Sequence, residues 1–67
     1  MTTFENISEL ETTVQFNPKL LTDIIILNNI SFKLISNRGL EKKYVSNNNE
    51  KLTISFDGGW VYAFLTE

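Results

Sequence analysis

Between Ile30 and Leu65 apolar and polar residues alternate with a period of two, the pattern of strands with one covered face. Turn-forming triplets interrupt the alternation at Asn37-Arg38-Gly39, Asn47-Asn48-Asn49 and Asp57-Gly58-Gly59, ten residues apart each time. Each triplet ends in Gly or Asn, which tolerate the left-handed conformation that closes a three-residue hairpin loop. The pattern therefore predicts four strands, at 30–36, 40–46, 50–56 and 60–65. Three-residue loops place Ser36 opposite Leu40, Ser46 opposite Glu50 and Phe56 opposite Trp60, so that even-numbered positions share one face. Phe32, Leu34, Tyr44, Leu52, Ile54 and Phe56 lie on that face, and the same register adds Ile30, Leu40, Trp60, Tyr62 and Phe64. Lys42 is the one charge in the middle of that face. The odd face is mixed, with Lys33, Lys43 and Lys51 between Ile35, Val45, Val61, Ala63 and Leu65.

The last loop has a competing reading. A two-residue Asp57-Gly58 loop slides the register and sets Trp60, Tyr62 and Phe64 beside Lys51, Thr53 and Ser55. Each aromatic ring offers roughly 150–250 Å² for burial. Leaving three of them open makes a large apolar patch for a soluble chain, so the three-residue loop is the expectation.

Upstream of the strands, Phe4, Ile7, Leu10 and Val14 recur at helical spacing, which predicts an amphipathic helix over 4–14 capped by Thr2 or Thr3. The segment 18–28 has two readings. Asn17-Pro18 suits a helix start, and Leu20, Leu21, Ile24, Ile25 and Leu27 would form its apolar stripe. The β-branched run Ile24-Ile25-Ile26 followed by Asn28-Asn29 also suits a strand and a hairpin turn. The helix is the expectation. The fold class is thus α+β, with one or two N-terminal helices packed on a four-stranded antiparallel meander. The alternative is one helix with a five-stranded antiparallel sheet.

Composition narrows the picture a little. A chain of 67 residues makes a single small domain, and a hydrophobic fraction of 42% with a net charge of −2 is ordinary for a globular one. The start Met1-Thr2-Thr3-Phe4-Glu5 has no signal-peptide pattern, and the apolar run Ile24 to Leu27 is too short to span a bilayer. Without cysteines to cross-link it, the chain reads as cytoplasmic, with no membrane association. Glu5, Glu9, Glu11 and Asp23 outweigh Lys19 in the N-terminal part, while Lys33, Arg38, Lys42, Lys43 and Lys51 outweigh Glu41, Glu50 and Asp57 in the strands.

Catalytic chemistry has little to work with. The absence of His and Cys removes the commonest general base, the thiol nucleophile and the imidazole and thiolate metal ligands. Glu9 and Glu11 are two apart on a helix and do not face each other. Glu50 and Asp57 fall at loops, Asp57-Gly58-Gly59 lacks the helix and Lys of a phosphate cradle, and Asn47-Asn48-Asn49-Glu50 lacks the acidic density of a calcium loop. No enzyme, cofactor or metal is expected. Two binding readings follow. An uncharged terminal strand, Trp60 to Leu65, is an unprotected edge that can accept a strand from another protein or from a second copy of the chain. In that reading Val61, Ala63 and Leu65 make the apolar contacts, Lys33, Lys43 and Lys51 surround them, and the chain acts as an inhibitor, immunity or host-modulating factor that occludes its partner. The alternative is an RNA-binding module using sheet aromatics with Arg38, Lys42, Lys43 and Lys51, against which the net negative charge counts.

Overall fold

The structure, a computed structural model, describes residues 2–67. Among these residues six strands and one α-helix follow one another: β1 (Thr2–Phe4), α1 (Ile7–Phe16), β2 (Ile24–Leu27), β3 (Ile30–Asn37), β4 (Glu41–Ser46), β5 (Lys51–Asp57) and β6 (Trp60–Thr66). A single 3₁₀ turn, Pro18–Leu20, follows α1. All six strands form one sheet in chain order; β1 runs parallel to β2 and every other pair is antiparallel. The helix connects β1 to β2 at one end of that order, yet its side chains bond to β6 at the other end. The sheet is therefore curled, and α1 lies between its first and last strands.

The α+β class with one helix is as expected, but the sheet is larger than either reading and is mixed rather than wholly antiparallel. Two segments account for the difference. The helix does not begin at residue 4. Thr2–Phe4 is extended and pairs with Ile25–Leu27, and Asn6 caps the helix instead, its Oδ1 accepting the Glu9 N–H at 2.8 Å. Phe4 keeps the helical spacing while belonging to a strand, because its ring and the side chains of Leu10 and Val14 enter the same core. The second segment, 18–28, is not a helix. Pro18 opens only the short 3₁₀ turn, and the β-branched Ile24-Ile25-Ile26 pairs with β3. Its turn is Asn28-Asn29, with φ of 53° and 64°, the two positive angles of a type I′ hairpin.

The loops decide which face of each strand looks inward. The Asn47-Asn48-Asn49 loop is as expected, with Tyr44 opposite Leu52 and the Ser46 N–H bonded to the Glu50 carbonyl at 2.9 Å. Tyr44, Leu52 and Ile54 are fully buried as a result. The first loop differs: Asn37 pairs with Lys42 and Ser36 with Lys43 rather than Leu40, so Leu40 lies in the loop and is exposed, and a bulge between Leu34 and Ser36 then sets Leu34 opposite Tyr44. The last loop differs in a more consequential way. Asp57 pairs with Trp60, so the connection is the two-residue Gly58-Gly59, with φ of 58° and 85°. This is again a type I′ turn, whose two positive angles suit two glycines.

A two-residue loop reverses the parity of the strand that follows it. On β6 it is Val61 and Ala63 that face inward, and Trp60, Tyr62 and Phe64 that face out beside Asp57, Ser55 and Thr53. The expected burial of the three aromatics is overturned. The physical reason is the helix. Phe4, Leu10, Val14, Phe32 and Tyr44 already fill the concave side, and α1 packs directly on β6 beside Val61 and Ala63.

Candidate functional site

The outward turn of β6 produces the least ordinary surface of the molecule. Trp60, Tyr62 and Phe64 stand in a row along one strand, with exposures of 65%, 52% and 50%. Phe16, at the last position of α1, is 86% exposed and lies across a groove from Trp60 and Tyr62. Holding four large aromatic groups in water contributes nothing to the core, which makes this the surface to weigh for an interaction. Trp and Tyr are also the residues that most often dominate binding energy.

The register sets this ridge beside a basic field. Across the outer face, Phe64 neighbours Thr53, which neighbours Lys43. One row further along, Lys51 neighbours Val45, which neighbours Lys33. All three lysines are exposed. The field is not purely basic: Asp57 pairs with Trp60, and Glu41 lies 3.8 Å from the Lys43 ammonium. Lys42, on the inner side, sits 6.0 Å from the Phe56 ring centre.

Helix α1 closes the edge of β6. The Gln15 side-chain amide accepts the Val61 N–H at 2.8 Å and donates to the Gly59 carbonyl. In doing so it copies one residue of a parallel strand, whose N–H and C=O bond the residues on either side of its opposite number. One turn earlier, Glu11 Oε2 accepts the Ala63 N–H at 2.9 Å. Both residues project from one helix face because they are four apart. Between this face and the strand runs a groove of about 470 Å³. Glu11, Thr12 and Gln15 form its helix wall, Val61 lies on the strand side, and Phe16, Trp60 and Tyr62 bring rings to it.

The sequence-predicted contact residues fall into two groups. Lys33, Lys43 and Lys51 are on the outer face, as expected, and share it with the aromatic ridge. Val61 and Ala63 are each only 8% exposed, and their outward amides are already bonded to α1. Leu65 is 43% exposed but belongs to the inner row opposite Leu52, where it lines a smaller groove of about 310 Å³ with Ile7 and Leu27. The open edge expected at Val61-Ala63-Leu65 is thus largely covered. The protein-binding expectation passes over Trp60, Tyr62, Phe64 and Phe16 as contacts, sheet aromatics entering only the RNA-binding alternative, and it passes over Glu11 and Gln15 as edge guards. A signal for the ridge was present in the Gly58-Gly59 dipeptide, which is itself a two-residue hairpin signature.

Among the described residues no group of three or more His, Cys, Asp or Glu gathers to hold a metal ion, and no helix is long and apolar enough to cross a membrane. Comparison with protein families, with curated proteins and with solved structures finds no significant match.

Proposed function

We propose that this chain is a small non-catalytic protein-binding module whose partner docks on the aromatic ridge of β6, and that it acts by occluding that partner, as an inhibitor, immunity or host-modulating factor does. The observation that carries the reading is the exposure of Trp60, Tyr62 and Phe64 in one row on a strand whose inner positions are filled by Val61 and Ala63. Burying such rings against a partner recovers stabilisation that the free chain forgoes, at roughly 25 cal/mol for each Å² removed from water. The lysines at 33, 43 and 51 would then flank an apolar centre on its β3–β5 side, as part of the polar rim of a protein interface.

The same lysines are the specific observation favouring a second reading, a single-stranded nucleic acid stacked on the ridge with its phosphates toward β3–β5. Asp57 beside Trp60, Glu41 beside Lys43 and Glu11 at the groove oppose it, since each repels phosphate where the rings would stack.

A photo-crosslinking amino acid in place of Tyr62 separates the two. The expected result is a discrete protein adduct in lysate that resists nuclease. Excess wild-type chain competes it away, and the variant Trp60→Ser/Phe64→Ser does not. An adduct to RNA or DNA would replace the first reading by the second. Labelling no stronger than from the exposed position Lys19 would overturn both.

A further inference from the structure

The groove between α1 and β6 has a composition that selects one kind of group. Three aromatic side chains, Phe16, Trp60 and Tyr62, meet there with a single carboxylate, that of Glu11, and no Lys or Arg lines it. The Gln15 amide is committed on both sides to β6. Glu11 is committed through Oε2 alone, to the Ala63 N–H, and forms no ion pair among the described residues. Its second oxygen is therefore available to a donor entering the groove.

Aromatic faces carry negative quadrupole potential and attract a cation that approaches within about 6 Å. A carboxylate at the same place adds full charge and a hydrogen-bond acceptor. Together they disfavour an anion and give a neutral apolar group nothing to pair with the carboxylate. Between the biological cations, an ammonium is strongly hydrated and loses more on entering an apolar cleft. A guanidinium is flat, weakly hydrated, stacks on rings and offers several donors to one carboxylate. We infer that this groove receives an arginine side chain of the protein partner, its guanidinium stacked against the rings of Trp60, Tyr62 and Phe16 and hydrogen-bonded to Glu11. This rests on the protein-binding reading and names the chemistry of the partner's anchoring residue.

Arginine and citrulline have nearly the same shape and differ in charge, which gives the test its control. The ¹⁵N-labelled chain is titrated with N-acetyl-arginine-N-methylamide and with the citrulline analogue, following the indole N–H of Trp60 and the amides of Val61 and Ala63. The expected result is saturable shifts confined to these signals, with the arginine compound binding about tenfold more tightly than citrulline. Glu11→Gln keeps an oxygen for the Ala63 N–H and so leaves the spectrum folded. It is expected to remove about fivefold of the arginine affinity and most of its salt dependence. Equal binding of citrulline, absence of saturable shifts, or no effect of Glu11→Gln would each overturn the inference. Failure is distinguishable from failure of the wider reading: a nuclease-resistant protein adduct at position 62 with a silent arginine titration removes the arginine site and leaves the protein-binding function in place.

Discussion

At the scale of single residues, Tyr44 shows how a polar atom is held inside so small a core. Its ring is fully buried among Phe32, Leu52 and Ile54, and its hydroxyl donates to the Thr22 carbonyl at 2.8 Å. Burial, and secondarily the charge of Asp23, pushes its pKa up from 10.0 to about 12. The neutral form is the one the fold accepts. With the folded value above the unfolded one, the contribution is fully present below pH 10 and is lost as pH rises toward 12. Tyr44→Phe is therefore expected to cost about 1 kcal/mol at neutral pH, from the unpaired Thr22 carbonyl, and to remove most of the fall in stability between pH 10 and 12. Urea unfolding of both chains across that range checks it; parallel curves would show that the hydroxyl is not buried.

At the scale of elements, the hairpins explain both what the sequence disclosed and what it concealed. Period-two alternation located β3 to β6 to within about a residue at each end, because a strand with one covered face must alternate. The Asn47-Asn48-Asn49 loop even gave the correct pairing of Tyr44 with Leu52. What alternation does not encode is loop length, and one residue more or less turns every following side chain over. Asp57-Gly58-Gly59 accommodates either length, and hydrophobic burial, used to decide, pointed the wrong way because the helix had already claimed the space under β6. β1 was hidden for another reason: three residues are too few to show a period, and Phe4 fits the spacing of the helix it precedes. The edge of β6 was expected to be open for lack of charge, but side chains from a distant element cover it, a contact that no local pattern reveals. Replacing both Glu11 and Gln15 by Ala bares the Val61 and Ala63 amides. The double variant is expected to lose about 1 kcal/mol for each bond and to gain a concentration-dependent dimer by edge pairing. Sedimentation velocity over a dilution series reads the second effect. A variant that stays monomeric and as stable as the parent would mean that these bonds do not guard the edge.

At the scale of the whole molecule, the curled sheet separates two jobs. The concave side, closed by α1, carries the stability, and the convex side carries rings and lysines that contribute little to it. The functional reading depends on that division, because rings that hold the fold together are not free to hold a partner. Only part of it was legible beforehand: the three lysines were placed on the outer face, while the aromatics beside them were assigned to the core. Trp60 is the single tryptophan, which lets the central claim be measured without altering the chain. The measurement is acrylamide quenching of Trp60 fluorescence in the native protein, repeated on dilution and in denaturant. The expected result is red-shifted native emission and a quenching constant at least half that of the unfolded chain, in keeping with 65% exposure, and unchanged on dilution. Blue-shifted emission with strong protection that persists at the lowest concentration would put Trp60 in the core and contradict the account.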